Sequence, residues 1–213
     1  MNAWVEQFLV ALPAVFFVVD VFGVVPLFLG MTAGQPAERT RATALRACMA
    51  GAGLLGFFAL FGGVLFKVLG ITLPAFRVAG GLILLVTALD MINARPSGTR
   101  TSAEEQREGE AKEDIALVPL AMPLLAGPGA IATVMVLMDK GGSLVLGVAV
   151  VLPSILITFA VAFGVLSAAP LVHRVLKASG VAVLERVMGL VLAAIAVQFI
   201  ADGAVALLRA PAG

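Results

Sequence analysis

The chain has 213 residues, of which 61% are hydrophobic and 13% are charged. This composition excludes an ordinary soluble domain and predicts an all-α protein with several transmembrane helices in a lipid bilayer. The formal net charge of +1 gives no basis for nucleic-acid binding. The single cysteine, Cys48, excludes an internal disulfide bond.

Apolar stretches of spanning length recur along the chain. A bilayer core requires ~20 residues of helix, and six stretches approach that length: 8–31, 47–66, 73–93, 115–138, 144–166 and 187–208. The segment before the first stretch lacks the basic region of a signal peptide, so we expect this stretch to be retained as a span.

A polar segment at 94–114 separates the third and fourth stretches. It contains ten charged residues together with Pro96, Ser97 and Gly98, a composition typical of a solvated linker. A plain tether is favoured over a regulatory segment. The linker divides the chain into two parts of three spans each, 1–93 and 115–213.

The Lys and Arg residues predict the orientation. With the N-terminus outside the cell, ten of them lie on the cytoplasmic side and four lie outside. Cytoplasmic loops of membrane proteins are enriched in basic residues. We therefore predict a multi-pass protein of the inner (plasma) membrane with both termini outside.

Two stretches contain residues that break helices. The first carries Asp20, Gly23 and Pro26, and the fourth carries glycines and a proline at 127–129. Proline removes a backbone donor and clashes with the preceding turn, so we predict breaks at 23–26 and at 127–129. A broken backbone in hydrocarbon must be buried in protein or line a cavity. The alternative is a kinked helix that serves packing alone.

Short matches between the two parts suggest an internal repeat. Arg-Val-Ala-Gly at 77–80 resembles Arg-Val-Met-Gly at 186–189, and Pro-Leu-Phe-Leu-Gly at 26–30 resembles Pro-Leu-Leu-Ala-Gly at 123–127. A repeat with an odd number of spans inserts in opposite orientations. The predicted fold is therefore six helices in two inverted three-helix repeats, with the first and fourth helices broken. Chance similarity among small and aliphatic residues is the alternative.

Three of these motifs resemble those of the MarC family of membrane proteins. The first combines Asp20 and Gly23 with Pro-Leu-Phe at 26–28, the second is Pro-Leu-Leu-Ala-Gly-Pro-Gly-Ala-Ile at 123–131, and the third is Arg-Val-Met-Gly-Leu at 186–190. One departure is Val21, where the family usually has proline. The resemblance covers essentially the whole chain. It implies a plasma-membrane protein and, for some relatives, transport of small neutral amino acids such as glycine or alanine.

The leading hypothesis is a secondary transporter whose two breaks form the site for a small zwitterion. Freed amides at half-helix N-termini favour a carboxylate, and uncovered carbonyls favour an ammonium group or a cation. The candidate substrate-binding residues are Asp20, Gly23, Pro26, Gly127, Pro128, Gly129, Thr133 and Gln198. Asp20 is either the group that couples transport to Na⁺ or H⁺ or a structural partner of freed amides.

Two other functional classes remain as alternatives. A non-transporting scaffold or partner-binding subunit would have tightly packed breaks, and a channel would need a continuous wet pore. Catalytic and phosphate-binding motifs such as His-Glu-x-x-His and Gly-x-Ser-x-Gly are absent from the sequence. We therefore expect neither enzymatic activity nor a cofactor, and the sequence is compatible with a homo-oligomer.

Overall fold

A computed structural model describes residues 3–93, 116–140 and 143–209, and every element in these ranges is helical. The elements are α1 (Ala3–Val19), α2 (Val21–Met31), α3 (Ala37–Leu69), α4 (Leu73–Ile92), a π-helix (Ala116–Leu125), α5 (Pro128–Lys140), α6 (Leu144–Ser167) and α7 (Ala169–Arg209). The all-α prediction is confirmed for these residues. The predicted linker at 94–114 lies outside them.

Five helices in the described part of the chain are long and apolar enough to cross a membrane. They are Trp4–Met31, Ala37–Phe66, Leu73–Ile92, Leu144–Ser167 and Ser179–Arg209. The predicted fourth span is instead a composite of the π-helix and α5, whose apolar part, Pro128–Asp139, is shorter. The described residues therefore form five long apolar spans, of which the first consists of α1 and α2, and one shorter composite span.

Two helices extend beyond the predicted apolar stretches. The second begins at Ala37 rather than at residue 47, because its first turns are polar and a hydropathy pattern marks only the part that suits hydrocarbon. The last helix begins at Ala169 but is interrupted at Lys177, whose φ of 54° and ψ of 175° are not helical. The apolar span that follows runs from Ser179 to Arg209.

The first span is broken at Asp20, so the prediction of a break at 23–26 is wrong. Asp20 has a left-handed backbone with φ 47° and ψ 58°, and both Gly23 and Pro26 lie inside α2. Aspartate tolerates this conformation better than most residues, and its side chain can cap the helix that follows. Pro26 is accommodated within the helix on its exposed side.

The second break was predicted at 127–129 and is confirmed there. The π-helix ends at Leu125 and α5 begins at Pro128. Proline suits the first position of a helix because its missing donor would have no intrahelical partner at that position. The local chemistry of this segment therefore determines where the fourth span is interrupted.

Each broken span packs against the third long helix of the other part of the chain. The half-helix α2 packs on α7, and α5 packs on α4, while α4 lies along α7 and α3 lies along α6. Trp4 Nε1 donates a hydrogen bond of 3.1 Å to the carbonyl of Ala149, and Gly203 lies against Pro74. The start of α1 and the end of α7 thus lie at one end of the bundle, called the terminus end below.

Glycines allow α4 and α7 to approach closely at two places. A Cβ on Gly81 would lie 2.9 Å from the backbone oxygen of Ala196. A Cβ on Gly189 would lie 3.0 Å from the backbone oxygen of Ala88. Small residues commonly let helix backbones approach within membranes. Because backbone atoms cannot rotate away, a side chain at either position would push the helices apart.

We predict that Gly81→Ala and Gly189→Ala each destabilise the fold by about 1–3 kcal/mol, the usual cost of overpacking. Gly164→Ala in α6 is the control, because a Cβ there would meet no atom within 4 Å. The sole cysteine, Cys48, is 4% exposed. Its reaction with a maleimide dye during heating therefore reports unfolding. Equal midpoints for all three variants would contradict the packing argument.

Candidate functional site

Both interrupted spans contribute to the wall of one small buried cavity of about 20 Å³. Its walls come from α1, α4, the π-helix, the start of α5 and α7: Val18, Ile83, Leu84, Thr87, Leu124, Gly127, Pro128, Gly129, Ala130 and Leu192. The second break lines the cavity directly, whereas the first span contributes Val18, two residues before its break at Asp20. A volume of ~10–15 Å³ is needed for one water molecule, so the cavity holds about one water.

Asp20 caps the half-helix that begins at the first break. Its side chain is buried, with 1% exposed, and Oδ1 accepts a hydrogen bond of 3.2 Å from the Gly23 N–H. A carboxylate at a helix N-terminus is further stabilised by the helix dipole. This contact is the interaction expected if Asp20 is a structural partner of freed amides.

Gly23 is required by this cap for steric reasons. A Cβ at position 23 would collide with the carboxylate of Asp20. Gly30, on the same helix, has no atom within 4 Å of the position of a Cβ. The glycine of the first break is therefore a partner of Asp20 rather than the point at which the helix breaks.

The second half-helix begins without a side chain at the capping position. The carbonyl of Gly127 accepts a bond of 3.1 Å from the Ile131 N–H, which closes the first turn of α5. The first amides of a helix have no intrahelical partner, and here they include those of Gly129 and Ala130. Both residues line the cavity. The start of α5 therefore lies at the cavity, and its first amides have no partner within the helix.

The other predicted site residues take different positions. Thr133 is fully buried, and its hydroxyl donates a bond of 2.9 Å to the Gly129 carbonyl. Gln198 lies on the exposed side of α7 and donates a bond of 2.6 Å to Asp202 Oδ1. Of the predicted site residues, the structure thus brings only those at 127–129 to the cavity. Asp20, Gly23, Pro26, Thr133 and Gln198 do not line it.

Sequence reasoning missed the apolar part of the lining. Leu84 and Leu192 are 1% and 0% exposed, and they follow Gly-Leu-Ile and Gly-Leu-Val at 81–83 and 189–191. That shared pattern was an available signal. The nearby Thr87 hydroxyl donates a bond of 3.0 Å to the Ile83 carbonyl.

A larger cavity of about 540 Å³ opens at the terminus end of the bundle, between α3, α4, α5 and α6. Phe66 and Met135 contribute apolar walls, and Asp139 and Ser143 contribute polar groups. Asp139 Oδ2 lies 2.9 Å from Arg77 Nη2, which links α5 to α4. This ion pair is partly exposed to solvent, so we assign it little stabilising energy.

Comparisons with known proteins identify the family. The model of MarC family integral membrane proteins matches residues 5–208. The chain belongs to the MarC family. It is 37% identical to a UPF0056 membrane protein of Aquifex aeolicus over 210 residues, covering 97% of this chain and 98% of the relative.

Relatives of this MarC-family chain also occur in well-known bacteria. Identity is 33% to the UPF0056 membrane protein YhcE of Escherichia coli, over 88% of this chain and 87% of the relative. Identity is 35% to the UPF0056 membrane protein YvbG of Bacillus subtilis, over 89% of this chain and 90% of the relative. No solved structure matches the chain. The chain is therefore a multi-pass integral membrane protein with bacterial relatives.

We predict that Gly23→Ala destabilises the protein by at least ~1 kcal/mol, the typical value of a helix N-cap, because the new Cβ displaces the Asp20 carboxylate. Gly30→Ala is the matched control on the same helix. Thermal unfolding of the two purified variants in detergent provides the comparison. If Gly23→Ala unfolds at the temperature of Gly30→Ala, the Asp20 cap does not stabilise the first break.

Proposed function

We propose that this MarC-family protein is a secondary transporter of small neutral amino acids such as glycine and alanine, driven by a Na⁺ or H⁺ gradient. One observation carries the proposal: two interrupted spans line one buried cavity, and the half-helix α5 begins there at Pro128, directly after Gly127, which has no capping side chain. Broken helices around a central site are common among secondary transporters. Enzymatic activity forms no part of the proposal.

The two breaks differ in a way that suits a zwitterionic substrate. The first is capped by the chain's own carboxylate, Asp20. At the second, the amides of Gly129 and Ala130 offer the same environment to the carboxylate of a ligand. Pro128 provides no N–H, so a carbonyl near the end of the π-helix lacks that donor and can accept from an ammonium group.

An inverted repeat is part of the proposal, and reciprocal contacts support it. Gly81 meets Ala196 and Ile200 on α7, and Gly189 meets Ala88 and Ile92 on α4. The two glycines, the two alanines and the two isoleucines are each separated by 108 positions in the sequence. Two copies of one unit, packed against each other in opposite orientations, produce this exchange of partners.

The breaks and turns of the two parts are separated by nearly the same number of positions. Asp20 precedes Gly127 by 107 positions, and Gly70 precedes Lys177, which like it has a positive φ, by the same number. The motifs at 26–30 and 123–127 do not follow this offset, because the first lies after its break and the second lies largely before its break. The repeat therefore rests on packing and turns rather than on that motif.

The small cavity favours one second candidate, a non-transporting scaffold or partner-binding subunit. A volume of about 20 Å³ is far from the 300–1,000 Å³ typical of drug-sized ligand pockets. In a transporter the same volume corresponds to a closed state, from which the half-helices must separate to admit substrate. Uptake measurements distinguish the two candidates.

The first test is uptake of labelled glycine and alanine into proteoliposomes, with Na⁺ and H⁺ gradients imposed separately. We expect Gly127→Ala/Gly129→Ala to reduce glycine uptake at least about tenfold, because hydrogen bonds to a charged group are worth ~1.5–3 kcal/mol each and the methyl groups block access to the amides. A Cβ on Gly129 would lie 2.8 Å from Leu84 Cδ2.

The control for this experiment is Gly53→Ala/Gly56→Ala, a double substitution in α3 where a Cβ would meet no atom within 4 Å. It should retain wild-type uptake at equal protein level. No uptake by the wild type under either gradient would favour the scaffold. Equal uptake by both double variants would mean that the break serves packing alone.

Orientation is tested independently of transport. We predict that a reporter fused after Gly213 is external and that one inserted within 97–109 is cytoplasmic, because this arrangement places ten of the 14 basic residues in the cytoplasm. The position of the start of α1 and the end of α7 at the same end of the bundle supports placing both termini on one side of the membrane. A cytoplasmic signal from the C-terminal fusion would refute the orientation.

A further inference from the structure

Two leucines from different parts of the chain occupy equivalent positions beside the buried cavity. Leu84 lies three residues after Gly81 on α4, and Leu192 lies three residues after Gly189 on α7. Both line the cavity, and their side chains are 1% and 0% exposed. The reciprocal contacts of the two glycines fix these positions relative to one another.

Leu84 also lies directly against the first turn of α5. Its Cδ2 atom would be 2.8 Å from a Cβ on Gly129, which is closer than ordinary van der Waals contact. The leucine therefore occupies the space that a larger residue at position 129 would need. It stands beside the amides that are proposed to bind the substrate carboxylate.

We propose that Leu84 and Leu192 determine the size of the side chain that the site accepts and so restrict it to α-amino acids no larger than alanine. This inference rests on the proposed function. Protein interiors are close-packed, so a cavity does not enlarge freely around a bulky ligand. The cavity of about 20 Å³ is the closed state of the proposed site, and when the half-helices separate, the two buried leucines remain as walls that limit the space for the side chain of the substrate.

Truncation of either leucine should enlarge the site, because surrounding atoms relax only partly into the space that a removed side chain leaves. We expect Leu84→Ala and Leu192→Ala to admit valine and leucine, measured as inhibition of labelled glycine uptake by each unlabelled amino acid. The ratio of valine to glycine affinity should rise about tenfold or more, since one methylene in an apolar pocket already supplies ~10–200-fold discrimination.

The chain provides matched controls at equivalent positions. Leu82 and Leu190 lie on the same two helices, again 108 positions apart, and are 52% and 67% exposed. Leu82→Ala and Leu190→Ala remove the same atoms away from the cavity. They should leave the valine-to-glycine ratio at its wild-type value.

A milder pair of variants covers the case in which the alanine variants do not fold. Leu84→Val and Leu192→Val each remove one carbon and should admit 2-aminobutyrate, which is one methylene larger than alanine, while still excluding leucine. A graded response, in which the accepted side chain grows as the residue at 84 or 192 shrinks, is the expected result.

Failure of this inference is distinguishable from failure of the proposed function. If the folded variants take up glycine and reject 2-aminobutyrate and valine as the wild type does, the leucines do not set the size limit, although transport stands. If Leu82→Ala or Leu190→Ala changes the ratio as strongly, the effect is general loosening and the inference is overturned. If neither wild type nor any variant takes up an amino acid, the proposed function falls and the size limit falls with it.

Discussion

A helix that begins inside an apolar environment must find acceptors for its first amides. This constraint shapes the core of the protein. At the first break the chain supplies its own acceptor, the Asp20 carboxylate, and keeps Gly23 free of a side chain so that the carboxylate fits. At the second break Gly127 supplies none. The amides at the two breaks are therefore in different situations, and this difference is the basis of the proposal that the first break is structural and the second binds a ligand.

The breaks are held together by the close pairing of α4 and α7. Each of these helices also supports the half-helix of the other part of the chain, since α5 packs on α4 and α2 packs on α7. A change in the position of one half-helix must therefore be accommodated by the helix pair that carries the other. This arrangement explains how two interrupted spans far apart in sequence come to line one cavity.

Local chemistry made part of this structure predictable from sequence. The apolar stretches are long and nearly free of charge, so helices of spanning length follow from composition. The break at 127–129 follows from a proline between two glycines, which no competing contact overrides. Asp20 was recognised as a carboxylate that needs a polar partner, and the Gly23 amide is one such partner.

Other features depend on packing that sequence does not reveal. The first break lies at Asp20 rather than at 23–26. Asp20 adopts a left-handed backbone and caps the next helix, whereas Pro26 fits inside α2 on its exposed side and does not interrupt it. Gln198 faces outward because contact with α4 decides which side of α7 is buried. Hydrophobic periodicity does not single out Leu84 and Leu192, because leucines lie on several sides of an apolar helix, and only the shared pattern that precedes them distinguishes them from other leucines.

The glycines separate the rigid part of the structure from the adaptable part. At Gly81, Gly189 and Gly203 a Cβ would meet a backbone oxygen, so these contacts fix the distance between α4 and α7. At Gly129 it would meet only the end of the Leu84 side chain, so no backbone contact at this point holds the start of α5 to α4. The helix pair is thus a fixed frame, against which the half-helix α5 can move. The proposed transport mechanism needs this combination, because the half-helices must separate while the bundle around them keeps its packing.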